Sequence, residues 1–256
     1  MAGQKTWKKC LAAFVPRYIP NRLVAGVMGL LQIMRKTSKA KVEENYIQNS
    51  KLLEQQAECK GWITFFRPGT FIENQQKWLK VCFGRDYTMS YGGCEIIAVY
   101  NALLSLGKAL SGSELAELIS RFERRGAVYG GLMGVAPQSV KPYFKKLGYE
   151  VKKTWSRKEK VINRMGEESN TLIVTSYNNG KDVFEGIHTV NISKDEKGKF
   201  HVHNDYYSQP DEKGREVFVS HGPYDTLYEA VTKLSGGTAA TLCVLGVRKS
   251  ISSMPS

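Results

Sequence analysis

The segment Gly92-Gly93-Cys94-Glu95-Ile96-Ile97-Ala98-Val99-Tyr100-Asn101-Ala102-Leu103 constrains this chain more than any other. Ile96, Ile97, Tyr100, Leu103 and Leu104 recur at three- and four-residue steps and Gly107 supplies a stop, so a helix is predicted that opens at Cys94. A thiol at a helix N-terminus faces unpaired amides and the positive end of the dipole, which favour its thiolate. The two glycines leave room for a substrate backbone beside the sulfur, and the Cys94 amide is placed to help hold an oxyanion. A free cysteine is otherwise a small buried hydrophobe. Cys10, Cys59, Cys82 and Cys243 lack the glycine and helix context and are read in that way.

On either side the punctuation is clear. Lys41 to about Lys60 is polar with Leu52, Leu53 and Ala57 at helical spacing, which predicts a connecting helix. Ser111 with Glu114 forms a capping box for a second helix that runs towards Gly126. A glycine-rich loop, 126–134, follows, and Pro137 opens a third helix that closes at Leu147-Gly148. Tyr149 to Trp155 alternates as a strand, Ser156 to Met165 reads as a helix, and Thr171 to Thr175 as a buried strand. Ile187–Ser193 and Phe200–Tyr206 alternate across Lys194-Asp195-Glu196-Lys197-Gly198, a hairpin signal. Tyr224 to Leu234 is predicted helical and Ala239 to Val247 a last strand. Helices come first and antiparallel strands later, so the expected class is α+β.

A thiol needs a base. His188 stands near the start of the strand Ile187-His188-Thr189-Val190-Asn191-Ile192, and sixteen residues on, on the paired strand, lie Asn204 and Asp205. Groups near the ends of paired strands are neighbours, so one of these two is placed to orient the imidazole. Alternation sets Asn204 in phase with Phe200 and Val202 on the covered side, and Asp205 with His201 and His203 on the other. Asn204 is therefore preferred, with Asp205 as the alternative. His201 and His203 alternate as a metal pair would, but lack nearby cysteines or a suitable acidic partner, and no metal or cofactor is expected.

The order of these elements resembles the papain-like cysteine peptidases of the bacteriocin-processing, double-glycine-leader type and their bacterial relatives. The matching pieces are the Gly92–Leu103 segment, the Ser111 helix, Gly130-Gly131 leading to Pro137 and Lys145-Lys146-Leu147-Gly148-Tyr149, the Gly186-Ile187-His188-Thr189-Val190 strand, and Val202-His203-Asn204-Asp205-Tyr206, over roughly residues 85–248. The resemblance implies a papain-like fold, with N-terminal helices carrying the cysteine packed on an antiparallel sheet carrying the histidine. It implies Cys94 as nucleophile, His188 as base, Asn204 as orienter, and hydrolysis of a peptide or amide bond through a thioester. Such enzymes usually carry an oxyanion-donating glutamine about six residues before the cysteine; here that position is Thr88. The same fold serves acyltransferases and exported effectors that use the thiol differently, and binding modules that have lost it. Peptide or protein substrates are the expected partners.

The formal charge of +13 is a nucleic-acid signature only until it is localised. Residues 1–42 hold nine Lys or Arg and no acid, leaving +4 over the other 214 residues. Such an arm suits an anionic membrane surface or an acidic partner, and no specific nucleic acid is expected. The run Leu11–Val15 is too short for a secretion signal, and Leu23–Met34 too short to cross a bilayer, so a cytoplasmic protein, or one exported without a typical signal, is expected. Leu23, Val27, Leu30, Leu31 and Met34 share one face of a short amphipathic helix. That helix is expected to pack on the catalytic domain, with an interfacial membrane helix or a pro-segment as alternatives. The expected organisation is a basic, mainly helical extension over 1–60, a catalytic domain over 61–250, and a tail over 251–256.

Overall fold

A computed structural model describes residues 20–59, 64–179, 186–235, 237 and 240–250. The tail over 251–256 and the first nineteen residues of the basic arm lie outside them. Among the described residues the helices are α1 (Asn21–Leu31), α2 (Lys39–Glu58), α3 (Met89–Gly92), α4 (Cys94–Ser105), α5 (Gly112–Arg125), α6 (Val140–Lys146), α7 (Glu159–Glu167) and α8 (Leu227–Thr232). The strands are β1 (Cys82–Phe83), β2 (Tyr87–Thr88), β3 (Glu150–Thr154), β4 (Thr171–Tyr177), β5 (Ile187–Lys194), β6 (Phe200–His203), β7 (Ser208–Pro210), β8 (Glu216–Phe218), β9 (His221–Tyr224) and β10 (Thr241–Arg248). The class is α+β. Six strands form one antiparallel sheet in the order β3-β10-β4-β5-β6-β9.

Both faces of that sheet are covered. On one, α4 lies against β4 and β5, and Ile96, Ile97, Tyr100 and Leu103 join Ile173, Cys243, Leu245 and Val247 in the larger core. On the other, Ile162 of α7 and Leu227 and Val231 of α8 meet Leu172, Val174, Val190, Ile192 and Val202. A strand covered on both faces becomes a continuous apolar or β-branched run, and β4, Thr-Leu-Ile-Val-Thr-Ser-Tyr, is buried at every position.

The helix ends follow their local chemistry. The Ser111 capping box forms in full: Ser111 Oγ accepts from the Glu114 amide at 3.2 Å and Glu114 Oε2 from the Ser111 amide at 2.8 Å. Pro137 opens a 3-10 turn, Pro137–Ser139, before α6 begins at Val140. Helix α2, predicted within the N-terminal extension, packs along α5 and contributes the fully buried Leu53 to the larger core. Asn45 of α2 donates to Glu123 Oε1 of α5 at 2.7 Å and to the Gly84 carbonyl at 2.8 Å.

Helix α1 is packed on the domain as expected, but of the predicted stripe only Leu31 turns inward. Ala25 and Met28 are buried, whereas Leu23, Val27, Leu30 and Met34 of the predicted apolar stripe are exposed. The hydrophobic pattern locates a face without saying what covers it.

Replacing Leu53 by Ala is expected to destabilise the whole protein by about 2–5 kcal/mol, the usual cost of emptying a closed core site. Urea unfolding measures this, and a loss under about 0.5 kcal/mol, the surface-substitution range, would place α2 outside the common core.

Candidate active site

Cys94 is the first residue of α4, and α4 is buried at every position from Glu95 to Leu103. Gly93 is at once the last cap of α3 and the first of α4, with φ −93 and ψ 0. A Cβ there would lie 2.5 Å from the Met89 carbonyl oxygen and 2.7 Å from Met89 Cε, so only glycine lets the two helices join so tightly. This junction sets the thiol against β5.

Cys94 keeps a partial opening to solvent. Burial nevertheless pushes its thiol from 9.0 up to about 11, the Glu95 carboxylate adds to the rise, and hydrogen bonding from the Thr189 and Glu95 main chain and the Thr189 hydroxyl draws it back. The expected thiolate is therefore not the resting form. A helix N-terminus is worth about 0.3–1 kcal/mol, while a rise of that size represents about 3 kcal/mol, so the dipole does not offset it.

His188 is also buried, its ring stacked on Tyr206 with centroids 4.8 Å apart. Its Nε2 lies 2.5 Å from the main-chain carbonyl of Asn204. A carbonyl only accepts, so Nε2 carries the proton and Nδ1 keeps its lone pair. Burial holds the imidazole below its ordinary 6.5, against the opposing pull of the Asn204 carbonyl and the Asp205 carboxylate. At neutral pH it is an uncharged base.

Among the described residues no hydrogen bond joins the Cys94 thiol directly to the imidazole. The two side chains share two neighbours instead. Thr189, next to His188 on β5, lies close enough to the thiol for its main chain and hydroxyl to draw the thiol pKa down. Tyr206, stacked on His188, has its hydroxyl pushed up to about 12 by burial, with Cys94 and Asp205 contributing.

Asn204 meets His188, but not through its side chain. Its Oδ1 accepts from the Gln75 amide at 3.1 Å, its Nδ2 lies 3.4 Å from Gln75 Oε1, and its own amide donates to Glu73 Oε2 at 2.9 Å. The expectation from strand alternation fails here for a definite reason: β6 ends at His203, and Asn204 takes φ +63, which turns the chain out of the pleat. The carbonyl is thereby aimed at the imidazole. Asp205 turns to His221, 3.1 Å from its Nε2, and approaches His188 only as a charge.

His203 was expected on the face shared with His201 and Asp205. It is 3 % exposed, stacked on Phe71 at 3.8 Å, with Nδ1 2.6 Å from Glu73 Oε1 and Nε2 2.8 Å from Ser193 Oγ. Alternation does not separate wet from dry when both faces are covered. His201 instead pairs with the exposed Asp195 at 3.1 Å, so the two histidines do not converge. Among the described residues no group of three or more His, Cys, Asp or Glu is arranged to hold a metal.

Four contributors escape sequence reasoning. Glu95, buried beside the thiol, is raised from 4.5 to about 7 by burial, despite a 2.6 Å hydrogen bond from Thr189 Oγ1. Its Oε1 is buried and has no hydrogen-bond partner among the described residues. Glu73 and Gln75, over 120 residues from Asn204 in sequence, hold the Asn204 turn. Tyr206 roofs the imidazole. Only Glu95, adjacent to Cys94 on a helix read as apolar, carried a local signal. Thr88, where the resemblance leads one to expect glutamine, ends β2, and Gln75 Nε2 is engaged by the Ser90 carbonyl at 3.0 Å.

The Cys94 alkylation rate is expected to climb steadily through pH 9 without a plateau, measured with iodoacetamide and mass spectrometry; a plateau near pH 6 would show a preformed thiolate. Glu95→Gln removes the adjacent carboxylate and should speed alkylation at pH 8. Glu95 and Glu123 both hold their protons more tightly folded than unfolded. The stability they contribute is complete below pH 4.5 and is lost as pH rises through about 7. Between pH 5 and 8 the wild type should therefore lose up to about 3 kcal/mol more than Glu95→Gln in urea unfolding, and parallel profiles would refute a buried carboxyl of this kind.

No protein-family model matches this sequence and no curated protein is similar to it, so the geometry of Cys94, His188 and Asn204 is what a functional assignment rests on.

Proposed function

We propose that this protein is a cysteine peptidase of papain-like type, a thiol hydrolase that cleaves a peptide or amide bond at Cys94. The observation that carries this is the hydrogen bond from His188 Nε2 to the Asn204 carbonyl, which leaves Nδ1 as the free base on the side chain that shares Thr189 and Tyr206 with the thiol.

Both groups start neutral, so the proton moves as the bond forms. Nδ1 of His188 takes the thiol proton while the sulfur attacks the substrate carbonyl carbon, giving a tetrahedral oxyanion and an imidazolium. The Asn204 carbonyl and the Asp205 charge stabilise that imidazolium. The Cys94 amide, at the start of α4, is the oxyanion donor its position offers in place of a glutamine at 88. The imidazolium protonates the leaving nitrogen, the C–N bond breaks and a thioester remains. Water, deprotonated by the same Nδ1, then releases the acid and restores the thiol. Transfer of the acyl group to an amine would use the same residues and differ only in the second acceptor.

The test is labelling by a peptidyl acyloxymethyl ketone at pH 7, followed by intact mass, with a peptide-library cleavage screen. Wild type should label at Cys94 and at no other cysteine, Cys94→Ala should not label, and His188→Ala should slow labelling by about 10²–10⁴. Labelling unaffected by His188→Ala would sink the proposal. Labelling with aminolysis but no hydrolysis in the screen would convert it to an acyltransferase.

Because the orienting oxygen belongs to the main chain, Asn204→Gly, which tolerates the positive φ, should keep more labelling activity than Asn204→Ala. Equal losses in both would assign the orienting role to the side chain.

A further inference from the structure

Helix α1 is clamped on one side and bare on the other. Asn21 Nδ2 donates to the carbonyls of Trp155 and Thr241 at 3.1 and 3.0 Å, Gln138 Nε2 to the Ala25 carbonyl at 2.9 Å, and Gln32 Nε2 to the Gly126 carbonyl at 2.9 Å. Met28 packs beneath it with Val128, Ala136, Tyr177 and Leu242. These bonds fix the rotation of the helix about its own axis. The opposite side carries Leu23, Val27 and Leu30, continued past the helix end by Ile33 and Met34, exposed by 58, 49, 67, 68 and 49 % respectively.

Five large apolar side chains in one stripe are not a solvated face. Arg22, Arg35, Lys36 and Lys39 are exposed around it, within a 42-residue stretch holding nine basic residues and no acid. The combination selects among occupants. An acidic protein would answer the charge and leave the stripe unexplained. A second copy would cover the stripe but set like charges against each other. An anionic bilayer answers both, with acyl chains for the stripe and headgroups for the cations.

We propose that α1 with Ile33 and Met34 is an interfacial docking helix that seats this protein on an anionic lipid surface. It lies on the surface and does not cross it: among the described residues no helix is long and apolar enough to span a membrane. The proposal is independent of the thiol chemistry. It also gives the bound protein a fixed orientation, because α1 rests on the 126–134 loop, where the Arg35 guanidinium lies 5.0 Å over the Tyr129 ring and Gly131 abuts Gly92, two residues before Cys94.

The experiment is co-sedimentation of the full chain with extruded vesicles of phosphatidylcholine alone and of phosphatidylcholine with phosphatidylglycerol, at low and physiological salt. The protein should partition onto the phosphatidylglycerol vesicles, less so as salt rises, and scarcely onto phosphatidylcholine. Leu23→Glu with Leu30→Glu, both fully outside the core, should leave the melting temperature unchanged and weaken partition more than about tenfold. Arg35→Gln and Lys36→Gln should each weaken it by about fivefold. No partition onto anionic vesicles, or partition that the Leu23 and Leu30 changes leave intact, would overturn the proposal. So would light scattering that shows a dimer split by those changes, since the stripe would then belong to a second copy.

Discussion

The structure depends on burying one helix. Helix α4 is enclosed along nearly its whole length, so its axis and rotation are set by the strands beneath it rather than by solvent preference. Everything at the site inherits that placement. The thiol is held at the helix start by a glycine that two helices share, Glu95 is carried with it into the interior, and Thr189 of β5 bonds to Glu95 beside the thiol. A helix exposed on one face could roll by tens of degrees at small cost, whereas this one would have to empty a packed core.

The electrostatics follow from the same enclosure. Removing water disfavours the charged forms of Cys94, Glu95 and His188 together. At neutral pH the thiol and the imidazole are uncharged, while Glu95, raised to about 7, is partly ionised. The polar scaffold around the site would receive the charge formed in the proposed reaction. Glu73 holds the Asn204 amide and His203, the Asn204 carbonyl holds His188, and Asp205 stands behind with His221. The Asn204 turn and His203 are fixed by Glu73, some 130 residues away in sequence, and the imidazole is oriented at the end of that series.

Much of this was legible in the sequence where a local pattern has a local cause. The helix start at Cys94, the Ser111 capping box, the buried β4 run and the β5–β6 hairpin all express spacing or punctuation within a dozen residues. What was not legible has a shared physical origin. The turn at Asn204 depends on Glu73 and Gln75, which no spacing connects to it. The burial of His203 depends on a second layer covering the sheet, and the outward aim of Leu23, Val27 and Leu30 depends on clamps from Trp155, Gln138 and Gly126. Strands as short as β1, β2, β7 and β8 carry too few residues for alternation to be seen at all.

The position of β10 has a consequence for how the molecule comes into being. Strand β10, Thr241–Arg248, the last among the described residues, lies between β3 and β4, not at an edge, and Cys243, Leu245 and Val247 lie under α4. During synthesis, β3 and β4 emerge first and must wait with the gap between them open. Contacts across the site already span 94 residues, as between Glu95 and Thr189, and those under α4 span half as many again. Folding of this kind is dominated by long-range closure and is slow. A nascent chain would therefore carry Cys94 on an unfinished sheet until β10 has emerged and inserted between β3 and β4, and the thiol becomes sheltered only with that insertion.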